Sequence, residues 1–176
     1  MKSEKAVFPR KFQAAQDEET LRTVLFARVQ KIREKGELVV PVLTVTSALA
    51  SALNAAKRRG HLRIGLDAAE EILARERHGL QKMEKDQGLF VGKRISRLIL
   101  TANDGTERFY RSVEWLARDH SPRLLVCRLD IPASELGRIL FGQERNIKLL
   151  LIDHKDTVSL VLQTLIPEGK EEEEEE

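Results

Sequence analysis

The amino-acid sequence predicts an α/β fold, a three-layer α/β/α sandwich with an N-terminal helical extension. Two patterns carry this expectation. From Ser47 onward, short aliphatic runs alternate with segments of helical period, as in a sheet covered by helices. Three of those runs, at 98–102 (LILTA), 124–127 (LLVC) and 149–152 (LLLI), are apolar almost throughout, as strands buried on both faces are. With 41% hydrophobic and only 5% aromatic residues, the 176-residue chain can bury a core, and an aliphatic one.

Taken in order, residues 1–16 read as an irregular arm. Asp17, Glu18 and Glu19 then suit a helix N-terminus, and Leu21, Leu25, Val29 and Ile32 continue at near-helical spacing to a stop at Lys35-Gly36. Residues 38–45 are rich in β-branched side chains but contain Pro41, which predicts an edge strand or an extended connector. Ser47 is placed to cap a helix that Gly60 ends at Arg59. A short strand over 61–64 and a helix over 67–77 follow, separated by Gly65. Residues 78–94, with three glycines and many charges, read as a long loop.

The remainder alternates strictly: strand 96–102, helix 106–120, strand 123–129, helix 134–141, strand 147–152 and helix 156–165, which Pro167 closes. Phe109, Val113, Trp115, Leu116 and Ala117 are assigned to the apolar side of the helix over 106–120. The organisation expected is therefore an arm and helix over 1–46, a domain over 47–166, and an acidic disordered tail over 167–176.

Net charge is +2, but six glutamates, Glu171 to Glu176, end the chain, and residues 1–170 carry +8. A basic body points to a polyanionic partner, or simply to a solvated surface with a solvated tail. The single cysteine, Cys127, lies in an apolar run; it allows no internal disulfide and no cysteine-based zinc site, and it fits a reducing compartment. No apolar stretch approaches the roughly 20 residues that span a bilayer, and no secretory signal pattern opens the chain.

Catalytic patterns are missing. There is no G-x-x-x-x-G-K-[ST] loop and no G-x-G-x-x-G fingerprint, so neither familiar phosphate cradle is encoded. His61, His78, His120 and His154 stand in no H-E-x-x-H or G-x-S-x-G context. Asp153, His154 and Asp156 read as capping acids at a helix start rather than as a metal site. No enzymatic activity, metal or cofactor is expected.

Two features point to binding. Lys57, Arg58, Arg59, His61 and Arg63 fall within seven residues at a helix end, where they can meet phosphates or complement the helix dipole. A second basic group, Lys93, Arg94 and Arg97, precedes the LILTA strand. The segment Asn103-Asp104-Gly105-Thr106 links a buried strand to a helix; it reads either as a backbone donor site at the strand's C-terminal end or as plain turn and capping chemistry.

Three stretches together resemble the ribosomal L7Ae/L30e/S12e family, most closely its bacterial ribosome-associated branch. Residues 55–65 (AAKRRGHLRIG) are similar to that branch's A-R-R-A-G-K-L-x-x-G segment. Residues 98–106 (LILTANDGT) are similar to its L-V-x-x-A-x-D-A-S strand and turn. Residues 135–138 (ELGR) are similar to its E-L-G-[RK] helix start, with a strand following in the same order. The resemblance spans about Ser47 to Leu165. It implies an L7Ae/L30e-type sandwich that binds RNA without catalysis, cytoplasmic or in an organellar ribosome, with ribosomal RNA or another structured RNA, and ribosomal or ribonucleoprotein proteins, as partners. Carried over, the family's RNA surface is Gly65 with Asp67, Asn103 to Thr106 (Asn103, Gly105 and Thr106 foremost), and Ile131 to Ser134. Kink-turn binders in the family carry G-x-N-x-x-x-K at the second helix. Here Asp67 and Glu71 stand at the amide and lysine positions. Acids there repel phosphate, which supports a second reading, a protein-interaction module on the same fold. The sequence-based binding surface is accordingly Lys57, Arg58, Arg59 and Arg63, with Gly65, Asn103, Gly105, Thr106 and Ser134.

Overall fold

The computed structural model describes residues 5–88 and 92–168. The acidic run 171–176 and part of the expected 78–94 loop lie outside these residues. The chain forms α1 (Ala15–Leu25), β1 (Val29–Lys31), β2 (Val39–Leu43), α2 (Ser47–Arg58), β3 (Leu62–Ile64), α3 (Leu66–Gln87), β4 (Arg97–Thr101), α4 (Glu107–Asp119), β5 (Leu124–Leu129), α5 (Ala133–Phe141), β6 (Leu149–Ile152) and α6 (Lys155–Gln163). The strands make one mixed sheet in the order β1-β2-β5-β4-β6-β3.

Alternation along each strand divides the core. Leu98, Leu100, Leu125, Cys127, Leu150 and Ile152 face α1, α2, α5 and α6. Ile99, Val126, Leu149 and Leu151 face α3 and α4. Helices thus cover both faces, which explains why these runs are apolar in both registers.

β2, β5, β4 and β3 all point one way, because β5 is parallel to β2 and β4, while β6 is antiparallel to β4 and β3. One edge of the sheet, the upper edge, therefore collects the C-terminal ends of β2, β3, β4 and β5 and the N-termini of α2, α3, α4 and α5. The lower edge collects the end of α2, the start of β4, the end of β6 and the start of α6.

The N-terminal region departs most from expectation. The helix stops at Leu25 rather than Lys35, and Val29 to Lys31 form a strand paired with β2. β2 is an interior strand, between β1 and β5. Pro41 is tolerated there. Bonds from Ile32 N to Leu38 O and from Val42 N to Arg28 O frame Val29–Pro41 as a non-hydrogen-bonded pair, so no N–H is required of Pro41 towards β1, and pairing with β5 begins only at Val42. The arm is not a loose appendage either: Ala6, Phe8 and Phe12 are buried with Leu21 and Leu25 in the main core.

Three smaller differences follow from local chemistry. The α2 cap is Thr46, whose hydroxyl accepts from Leu49 N at 3.2 Å, rather than Ser47. Residues 78–87 continue α3 instead of forming a loop. Trp115, assigned above to the apolar side of α4, is 55% exposed, because it lies on the side of the helix opposite Val113.

Candidate nucleic-acid interface

The nine sequence-derived binding residues divide between the two edges of the sheet. Gly65, Asn103, Gly105, Thr106 and Ser134 stand at the upper edge. Lys57, Arg58 and Arg59 stand at the lower edge, and Arg63 on β3 turns towards it through an ion pair with Asp153 at 3.0 Å. A single surface uniting all nine does not form.

At the upper edge, the turn after β4 is built largely from its own bonds. Tyr110 on α4 reaches back, donating its hydroxyl to Ala102 O at 2.6 Å and accepting from Gly105 N at 3.0 Å. Burial raises the Tyr110 pKa above its ordinary value; the Gly105 N–H and Arg128 offset this in part. Asn103 N donates to Ile131 O at 2.9 Å, and Arg128 donates to Asn103 O at 2.8 Å. Thr106 caps α4 through Phe109 N, and Asp104 caps α5 by accepting from Ala133 N at 2.9 Å. The N–H groups of Asn103 and Gly105, expected to face a ligand, are spent inside the protein. Gly105 is required for close approach, since a Cβ there would lie 2.6 Å from the Phe109 ring.

Gly65 has φ +95 and donates to Leu149 O at 2.9 Å as α3 begins; a side chain at that φ would be strained. Asp67 and Glu71 on the first turns of α3 are exposed. Asp130 is held below the usual carboxylate range chiefly by its bond from Arg28, at 2.9 Å. The upper edge is therefore tightly turned and carries several carboxylates.

The lower edge is different. Lys57 donates to Leu140 O and lies 4.4 Å from the centre of the Phe141 ring, so it caps the end of α5 and is only partly exposed. Arg58 and Arg59 are exposed and form no ion pair among the described residues. His61 stacks on His154 with ring centres 4.1 Å apart, and its Nδ1 lies 2.7 Å from Thr157 Oγ1. That stack seats the α2–β3 turn beside the start of α6.

From there the basic surface continues, because Lys155 shares a cleft of about 600 Å³ with Arg10, Lys11 and Arg94. Arg94 also donates to Phe8 O at 2.9 Å, tying the arm to the start of β4. Among the described residues, Asp156 is the one acid lining this cleft. The rim thus runs from Arg58 and Arg59 through the histidine stack and Lys155 to Arg94, Arg10 and Lys11. Arg10 and Lys11 lie far from Lys155 in sequence, and the burial of Phe8 and Phe12, with the Arg94 bond to Phe8 O, brings the arm's cations here.

Among the described residues, no group of three or more His, Cys, Asp or Glu side chains gathers as a metal site would require. No helix among them is long and apolar enough to cross a membrane. Comparison with models of protein families finds no match for this chain, and neither does comparison with curated protein sequences.

Proposed function

We propose that this chain is an RNA-binding protein of the L7Ae/L30e type, associated with a ribosome or another ribonucleoprotein and without catalytic chemistry of its own. The observation that carries this reading is the lower basic rim, where Arg58, Arg59, Lys155, Arg94, Arg10 and Lys11 form one belt with little acidic relief. Phosphate contacts of this kind supply most sequence-independent affinity and make it salt-dependent. Lys57 and Arg63 contribute less, since each already has a partner.

The test is binding to a structured RNA at low and moderate salt. Arg58→Ala with Arg59→Ala should weaken binding and flatten the salt dependence by roughly two phosphate contacts. Unchanged affinity in the double variant, or no RNA binding at low salt, would remove the reading.

A second reading, a protein-interaction module that does not engage kink-turns, is favoured by one observation. Asp67 and Glu71 are exposed on α3 at the edge where the resemblance implies RNA contact. Protein partners recovered in a pull-down after nuclease treatment, with no RNA binding by the purified chain, would select it.

A further inference from the structure

We infer that the outer face of α4 is a stacking platform for single-stranded RNA, with Trp115 contacting an unpaired base and Arg108, Arg111 and Arg118 meeting the flanking phosphates. The inference rests on the proposed RNA binding but assigns a surface away from the basic rim.

The helical register gathers these four residues. Positions 108, 111, 115 and 118 fall within about 80° of arc, and all four side chains are exposed. The Arg118 guanidinium lies 4.0 Å from the centre of the Trp115 ring. With one ring face covered in this way, an exposure of 55% leaves much of the remaining indole open to solvent. None of the three arginines forms an ion pair among the described residues.

The acids of the same helix are drawn elsewhere. Glu107 and Glu114 both bind Arg33, at 2.9 and 2.6 Å, on the flank of α4 nearest the β1–β2 connection. The outer stripe itself is cationic: Glu107 and Glu114, one turn before Arg111 and Arg118, flank it but are engaged by Arg33, and Asp119 and Glu70 line the adjoining groove. An indole between unpaired arginines matches unstacked bases joined by phosphates, since every base offers a π-face and every linkage a negative charge. A duplex hides its base faces, so a single strand fits this stripe and a duplex does not.

Trp115 is the chain's one tryptophan, so its emission reports on this face alone. The full chain is titrated with a labelled single-stranded RNA of mixed sequence and with the same RNA as a duplex. Anisotropy follows binding and indole emission follows stacking. The single strand should quench Trp115; the duplex should not. Trp115→Ala should weaken single-strand binding by about tenfold, with Trp115→Phe between the two. Replacing all three arginines by glutamine should lower the slope of log affinity against log salt by about two. Both substitutions are at exposed positions, so circular dichroism should show an unchanged fold. Single-strand binding with unchanged emission and an unaffected Trp115→Ala variant would overturn the platform while leaving the rim intact. Quenching that survives Arg58→Ala with Arg59→Ala would support the platform as a surface separate from the rim. No binding of either RNA would overturn both.

Discussion

Arg33 Nε donates to Glu114 Oε2 across 2.6 Å, joining residues 81 positions apart. The same guanidinium reaches Glu107, and Leu38 N approaches the other Glu114 oxygen at 3.4 Å. Gly36 passes so close that a Cβ there would collide with the Glu114 carboxylate. This junction fastens the β1–β2 connection to α4 and, with the burial of Phe8, Phe12, Leu21 and Leu25, makes residues 5–46 part of the domain rather than an extension of it.

Removal of residues 1–46 should therefore be far more damaging than loss of a tail. Phe8, Phe12, Leu21 and Leu25 would leave the core, and β5 would lose its outer neighbours. A chain beginning at Ser47 should show lost near-ultraviolet dichroism and a broadened thermal transition, or precipitate. A milder probe is Arg33→Ala, which leaves the largely buried Glu114 without its ion-pair partner. It should lower the urea midpoint without changing the slope. A truncated chain with a cooperative transition equal to that of the full chain would contradict this account.

Gly137 in α5 has a stricter role than its place in a short helix-start motif suggests. A Cβ at this position would fall 1.8 Å from the Arg145 carbonyl oxygen, on the strand of chain that returns from Gly142 to β6. The obstacle is backbone, which moves only with its whole segment. Gly137→Ala should cost about 3 kcal/mol, the upper end for overpacking. Gly79→Ala is the matched control: it is helical with nothing within 4 Å, and it should stabilise by about 0.5 kcal/mol. Equal urea midpoints for the two variants would refute the packing argument.

These two contacts also show which parts of the fold were legible. The alternation from β4 to α6 was readable because each strand is buried on both faces and each helix buries a regular stripe, such as Tyr110, Val113 and Leu116. The second half of α3 was not, because its buried residues stop at Leu73 and the following turns carry no apolar period. β1 was masked by Val29, whose helical spacing from Leu25 is accidental: all three residues of that strand are exposed. The candidate site was legible only in part. Arg58, Arg59 and Arg94 could be named from sequence, but Arg10, Lys11 and Lys155 join them only once the arm packs beside α6.

Tyr110 tests whether the turn after β4 is scaffolding. Its hydroxyl serves both the Ala102 carbonyl and the Gly105 N–H. Tyr110→Phe keeps the ring packing and strands both backbone groups, Ala102 in a fully buried position. The expected loss is about 1–3 kcal/mol, with faster amide exchange confined to residues 103–106. If stability held but RNA affinity fell, the turn would instead be part of the binding surface.

His120, at the end of α4, supplies a pH dependence with a definite sign. Burial, then the charge of Arg77, lower its pKa below the ordinary value of about 6.5, and Asp119 offsets this only in part. The folded protein therefore prefers the neutral ring, while the unfolded chain takes up the proton at about 6.5. Between the two values the unfolded state binds more protons, so stability rises with pH across that window. The contribution is fully present above the unfolded value and is lost as pH falls through it towards the lowered one. Urea midpoints measured from pH 7.5 down to 5 should decline for the parent chain, and His120→Gln should remove part of that decline while leaving the other histidines in place. Parallel curves for the two proteins would mean that His120 carries no part of the acid sensitivity.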